Sequence, residues 1–219
     1  MAAFVPLGDQ AVLAYLADEA AAGRFAAMVR RANEPWLVDV VQAYTSVAVF
    51  FDLDKIGPEE VMDRLRRLES KKTNAALPEA RCHRIPCCYE LQLDLARVAK
   101  HTRLPTDEVI RLHCETEYTI YAIGFCPGFP YLGYLPPELC GVPRLPAPRL
   151  RVDAGSVGLT GRQTGIYTEV RPGGWNLIGR TPLRLVDVAD DYFPLRTGDR
   201  VRFEPIDEAR YHQLLGERL

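Results

Sequence analysis

Seven arginines stand between residues 141 and 185: Arg144, Arg149, Arg151, Arg162, Arg171, Arg180 and Arg184. Only two acids, Asp153 and Glu169, share that stretch, which leaves a local excess of five positive charges. Guanidinium groups grip carboxylates and phosphates in a planar, two-pronged way that lysine cannot reproduce. Glycine turns interleave the arginines, and their N–H groups can also face an anion. The stretch reads either as a site for a carboxylate or phosphate ligand or as a solvated basic face. Arginine dominates the whole chain, since only Lys55, Lys71, Lys72 and Lys100 of the 27 basic residues are lysine. A GC-rich genome would produce the same bias.

Other chemistries find less support. The glycine-rich run from Gly155 is no P-loop: Ser156 stands where that motif needs glycine, and Arg162 and Gln163 stand where it needs lysine and then a hydroxyl residue. Ser156 also lacks the Gly-x-Ser-x-Gly setting of a hydrolase nucleophile. The four histidines, His83, His101, His113 and His212, form no metal-ligand spacing. His113 is the best of them for a site, because it closes a helical pattern just before a strand. The same place equally suits a charged cap on the helix C-terminus. The six cysteines show no Cys-x-x-Cys pair, and we read them as reduced, small, buried hydrophobes. Cys126, in a Gly/Pro-rich loop, is the one to test as a reactive thiol.

That loop, residues 124–151, is long for a connection and carries seven prolines. Proline restricts the unfolded chain and so lowers the entropy lost on folding. Phe125, Phe129, Tyr131, Leu132 and Tyr134 in the same loop call for burial. A stiff aromatic loop reads as the wall of a small-molecule pocket or as a rigid cover over an open barrel end.

The elements that must position these residues fall into two regions. In the first, Val12 to Leu16, Trp36 to Val41 and Val47 to Leu53 read as strands. Asp18 to Ala32 reads as a helix, with Phe25, Met28 and Val29 at helical spacing. A second helix starts at Gly57-Pro58-Glu59-Glu60 and ends near Ser70. Together these predict a compact two-layer α+β domain over residues 1–80, with 71–80 as a linker. In the second region, 81–219, Arg84 to Tyr89 and Tyr118 to Phe125 read as strands. Leu93 to His101 and Thr106 to Cys114 read as short helices, the second with Thr106 as its N-cap. Beyond Phe125, short apolar runs broken by Gly, Pro and Asp turns predict an all-β barrel or sandwich, closed by a short helix over Asp207 to Leu215.

Composition bounds the answer. With 219 residues, 47% of them hydrophobic, and a net charge of −2, the chain is neither disordered nor a strongly cationic nucleic-acid binder. No apolar run approaches the ~18 residues of a membrane span, and no signal peptide is visible, so a cytoplasmic location is expected.

Four blocks then point to a family. They are Gly124-Phe-Cys-Pro-Gly-Phe-Pro-Tyr-Leu-Gly133, Ala154-Gly-Ser-Val-Gly158, Gln163-Thr-Gly-Ile-Tyr167 and Pro172-Gly-Gly-Trp-Asn-Leu-Ile-Gly-Arg-Thr-Pro-Leu183. In these the chain resembles the KipI/PxpB family, also called allophanate hydrolase subunit 1 or carboxyltransferase domain subdomain C/D. The resemblance runs from Gly8-Asp9 to Gly198-Asp199-Arg-Val-Arg-Phe203. It implies an α+β architecture, with a small N-terminal α/β domain followed by a cyclophilin-like all-β barrel. It also implies a subunit of an ATP-dependent 5-oxoprolinase, which opens the lactam of 5-oxoproline to glutamate together with PxpC-like and PxpA-like partners. The alternatives within the family are a KipI-like inhibitor of a sensor histidine kinase and a subunit acting in urea or allophanate metabolism.

Phosphorylating a lactam oxygen is a matter of positioning and positive charge. On the resemblance, Arg149, Arg162 and Arg180 are the candidates to hold the substrate carboxylate or the phosphate. Gln163, Tyr167 and the amides around Gly173 and Gly174 are the candidates to orient the ring, and Ser156, Phe129 and Tyr131 are further candidates for binding the substrate or anion. Gln163 and His113 are the candidate catalytic groups. ATP, with magnesium, is implied by the reaction, and no resident metal is expected in this chain. Three departures from the family pattern stand beside these blocks: a shortened loop at 87–95, Asp153 before Ala154-Gly-Ser, and Arg171 before Pro172-Gly-Gly. They leave room for a different lactam or amide substrate.

Overall fold

The computed structural model describes residues 2–70 and 79–219. The chain divides into two compact units, Met1–Glu79 and Ala80–Leu219. Most of the linker read at 71–80 lies outside the described residues.

The first unit runs β1 (Ala3–Pro6), β2 (Ala11–Tyr15), α1 (Glu19–Ala32), β3 (Leu37–Ala43), β4 (Ser46–Phe51) and α2 (Pro58–Ser70). Its strands form one antiparallel sheet in the order β1-β2-β4-β3. Both helices bury one stripe, Ala22, Phe25, Ala26 and Val29 on α1 and Val61 and Leu65 on α2, in the same core as Val12, Val47, Val49 and Phe51. The Asp18 carboxylate starts α1 by accepting the Ala21 N–H at 2.6 Å. Sequence reasoning missed β1. It is an edge strand, mostly exposed, and its terminal Pro6 weakens the strand signal.

The second unit opens with β5 (Cys82–Cys88), α3 (Leu95–Thr102), α4 (Thr106–Glu115), β6 (Tyr118–Ile123) and β7 (Pro130–Gly133). It continues with β8 (Arg149–Val152), β9 (Ser156–Thr160), β10 (Gln163–Ile166), β11 (Arg171–Gly173), β12 (Asn176–Arg180), β13 (Arg200–Ile206) and α5 (Glu208–Gln213). Seven strands close a barrel in the order β10-β7-β6-β13-β5-β12-β9, with β9 pairing back onto β10. Strands β8 and β11 form a separate two-stranded ribbon. The only parallel pairing among the described strands joins β5 to β13. Ile85, Tyr118, Ile120, Leu132, Leu159, Ile166, Val201 and Phe203 fill the barrel, and Val98 of α3 and Val109 of α4 extend the same core.

Local details depart from the sequence reading. The N-cap of α4 is Pro105, not Thr106, which is already the first helical residue; no side chain caps this end. The cysteines are all free, as expected, but they are not all buried: Cys82 is exposed and Cys114 and Cys140 are half-buried. Cys82 leads β5, whose outward positions face solvent. Phe125 was expected to be buried and is 57% exposed. It holds φ at 69°, in the left-handed region, and its ring packs edge-on against Phe129 and Tyr167 with the rest open to solvent. Among the described residues no helix is long and apolar enough to cross a membrane.

Candidate functional site

A cleft of ≈ 280 Å³ opens on the second unit, lined by Phe125, Phe129, Tyr131, Arg144, Pro148, Tyr167, Pro172, Gly173, Gly174 and Trp175. Four segments build it. The loop after β6 brings Phe125 and Phe129, and β7 brings Tyr131. The irregular stretch before β8 brings Arg144 and Pro148. The chain leaving β10, with β11 and the turn into β12, brings the rest.

Phe129 is the hub of the walls. Its ring lies 4.9 Å from Tyr131, 5.3 Å from Tyr167 and 5.6 Å from Trp175, each edge-to-face. That geometry suits the positive edge and negative face of aromatic rings. Two glycines allow the close approach. A Cβ on Gly165 would stand 2.8 Å from the Pro130 carbonyl and 3.0 Å from the Phe129 ring. A Cβ on Gly173 would fall 2.3 Å from the Tyr167 hydroxyl oxygen. These glycines are packing requirements rather than turn formers.

The electrostatics are simple. Arg144 is the one charged residue of the lining, and no carboxylate accompanies it. Arg144 is exposed, and among the described residues nothing hydrogen-bonds or ion-pairs with it. Burial holds both phenols, Tyr131 and Tyr167, above the usual tyrosine pKa, against an opposing pull from the nearby Arg144. The Trp175 backbone also hydrogen-bonds to Tyr167 and lowers it. At neutral pH both phenols are therefore protonated and able to donate. The cleft can take a small, flat, anionic molecule: a ring between aromatic walls, an acid on Arg144, and a carbonyl within reach of phenol donors.

The structure brings Phe129, Tyr131, Tyr167, Gly173 and Gly174 together in this cleft, as lining residues. It places the other candidates elsewhere. Arg149 pairs with buried Asp94 at 2.7 Å, and its Nη1 is buried without a partner. Arg162 stacks its guanidinium 4.4 Å over the Tyr134 ring. Arg180 donates to the Ala154 carbonyl at 3.2 Å and lies 3.8 Å from Asp153. Ser156 faces Arg180 across the β9–β12 pair, and Gln163 opens β10 opposite Gly133. Neither Ser156 nor Gln163 lines the aromatic cleft.

His113 lies in the core, outside the aromatic cleft, and the C-cap of α4 is Thr116. The His113 ring is fully buried, with Nδ1 2.7 Å from the Tyr89 hydroxyl and Nε2 2.9 Å from Thr164 Oγ1. Burial lowers its pKa to about 3, so the ring is neutral. The remaining arginines of the basic stretch are also paired: Arg151 with Asp153, Arg171 with Glu169 and Arg184 with Asp187. Five of the seven arginines thus have carboxylate partners, with Asp94 and Asp187 lying outside the stretch and Asp153 shared by Arg151 and Arg180, while the Arg162 guanidinium has the Tyr134 ring instead. Arg144 is what remains. Sequence reasoning counted it without singling it out, as it did not single out Pro148 or Trp175. The available signal was its place between Pro143 and Pro146 on a stiffened segment.

A larger cleft of ≈ 580 Å³ holds Arg180, Arg184, Thr181 and Tyr211. Glu169 and Asp187 line it too, and its arginines are already engaged, so it is the weaker anion site. The glycine-rich run at Gly155 forms β9, whose backbone pairs with β10 on one side and β12 on the other. Its amides are committed to the barrel and make no phosphate cradle. Among the described residues no cluster of three or more His, Cys, Asp or Glu side chains is placed to hold a metal ion.

The family described as carboxyltransferase domain, subdomain C and D, matches residues 2–195. A 5-oxoprolinase subunit of Escherichia coli O157:H7 is 42% identical over 185 residues, covering 82% of this chain and 83% of that protein. The subunit of the same name from Bacillus subtilis strain 168 is 38% identical over 205 residues, covering 85% and 83%. Among solved structures, TTHA0988 superposes with a TM-score of 0.76 at 35% identity over 90% of this chain. This chain spans only 40% of that protein's length.

Proposed function

We propose that this chain, which belongs to the family of the carboxyltransferase domain, subdomain C and D, is a subunit of an oxoprolinase-type enzyme complex and that its Arg144 cleft holds the lactam substrate. The observation that carries the reading is one unpaired guanidinium at the mouth of an acid-free aromatic cleft. 5-Oxoproline has the matching form: a near-flat five-membered lactam with one carboxylate. Its ring fits between the Phe129, Tyr167 and Trp175 walls, and its carboxylate suits the Arg144 fork. The lactam carbonyl would then accept from the Tyr131 or Tyr167 phenol. Orientation of this kind is the main protein contribution to phosphoryl transfer, which has little covalent chemistry of its own.

ATP supplies the phosphoryl group that makes the unactivated amide attackable by water. The cleft, just under the usual range of small-molecule site volumes (about 300–1,000 Å³), suits the lactam better than a nucleotide several times its size. On this reading ATP and its magnesium enter from PxpC-like and PxpA-like partner subunits, and this chain alone does not turn over.

The test is ATP-dependent release of glutamate from 5-oxoproline by the complex assembled with its partner subunits. Release is expected from the wild-type complex and a large loss in the Arg144→Ala complex. No release from an assembled wild-type complex overturns the reading.

A further inference from the structure

Arg144 sits on a stretch, Pro143 to Pro148, that belongs to no strand or helix. Something other than a ladder must aim its side chain into the cleft. Three contacts hold the stretch. Asn176 donates through Nδ2 to the Pro143 carbonyl at 3.0 Å, on the peptide that leads directly into Arg144. On the other side of Arg144, the Leu145 N–H donates to the Gly174 carbonyl at 2.7 Å. Further along, Arg149 Nη2 donates to Asp94 at 2.7 Å.

Asn176 is the informative member. It is fully buried, and its whole amide is in use. Besides Pro143, Nδ2 donates to the Leu159 carbonyl at 3.1 Å, and Oδ1 accepts from Arg97 Nε at 2.8 Å. A guanidinium cannot accept and a carbonyl cannot donate, so the network fixes which end of the amide is which. Asp94, which precedes α3, completes the anchorage by also accepting the Leu177 N–H at 2.7 Å. Both Asp94 and Arg97 come from the start of α3, so this helix is tied to β12 and to the Arg144 stretch through two separate links.

We infer that Asn176, oriented by Arg97, is the positioning residue that sets Arg144 for recognition of the substrate carboxylate. This rests on the reading of the cleft as a lactam-acid site. Asn176 touches no ligand; it fixes the backbone from which the recognising group projects, in the way that outer contacts orient the groups that bind.

The test uses the full chain in a Trp36→Phe background, so that fluorescence reports Trp175 in the cleft wall. Two probes are titrated: 5-oxoproline and pyrrolidinone, the same lactam without the carboxylate. Wild type is expected to prefer 5-oxoproline. Asn176→Ala is expected to weaken 5-oxoproline binding by about tenfold or more while leaving pyrrolidinone binding unchanged. Arg97→Ala, whose guanidinium lies near the surface, should move the same preference in the same direction and carries the test if Asn176→Ala fails to fold. In an Arg144→Ala background, neither change should lower 5-oxoproline affinity further. Equal loss of both probes, or additive losses with Arg144→Ala, overturns the positioning role while the cleft reading stands. A wild-type protein that binds neither probe overturns the cleft reading and this inference with it.

Discussion

Arg144 and Arg149 are five residues apart and have opposite fates. Arg144 is exposed with no acid beside it, whereas Arg149 neutralises Asp94, whose side chain is 8% exposed. Substitution should separate them. Arg144→Ala leaves no buried group unpaired, so stability should change by less than about 0.5 kcal/mol, while 5-oxoproline affinity falls roughly tenfold to a hundredfold. Arg149→Ala strands a buried carboxylate and should cost about 3–5 kcal/mol in urea unfolding. Similar losses of stability in the two variants would contradict this division. The same pair shows how far the sequence could be read. Phe129, Tyr131 and Tyr167 could be selected from type and context alone, because large aromatics in a proline-stiffened loop must pack on something. Which arginine stays free could not, because the acid that claims Arg149 lies 55 residues earlier in the chain. Gly173 was legible as a turn residue, but its need to admit the Tyr167 hydroxyl appears only in three dimensions.

At the scale of elements, the turn rhythm beyond residue 125 was enough to announce short strands, and the described strands follow it. That rhythm suited a barrel or a sandwich, and the family resemblance implied the barrel that is found; what the rhythm could not show was the manner of closure. Closure depends on β5 lying parallel to β13, with Cys82 facing Arg200, and a parallel pairing between distant segments leaves no local signature. Helix α4 illustrates the same limit. Its sequence offered His113 as a cap or a site residue, yet packing against β13 turns the ring inward, 4.5 Å from Phe203. There it bridges Tyr89 and Thr164 as a neutral base. With a folded pKa of about 3 against an ordinary value of 6.5, the unfolded chain binds the extra proton between those limits. Stability should therefore fall as pH drops from about 6.5 toward 3, by up to ~1.4 kcal/mol per pH unit from this residue, with no contribution above that window. Urea unfolding of wild type and His113→Gln between pH 7 and 4 measures it. The variant should be less stable at pH 7 but show a shallower acid slope; parallel slopes would mean that His113 does not titrate on unfolding.

For the whole molecule, the question is what each unit contributes. The charge is uneven: residues 1–80 carry a net −3 and the remainder +1. Each unit has its own core, one around Phe25, Val49 and Leu65, the other around Ile85, Ile120, Ile166 and Phe203. Every residue lining the aromatic cleft lies between Phe125 and Trp175, and the groups that fix Arg144 are Asp94, Arg97 and Asn176. All of them belong to Ala80–Leu219. A fragment of that span is long enough to bury a core of its own. It should unfold in a single cooperative transition. It should also bind 5-oxoproline within about twofold of the full chain, since a change of that size is only a few tenths of a kcal/mol. Thermal unfolding and Trp175 fluorescence titration of the fragment check both parts. A folded fragment that has lost binding would place a necessary part of the recognition in Met1–Glu79, and an unfolded one would make the two units a single cooperative structure.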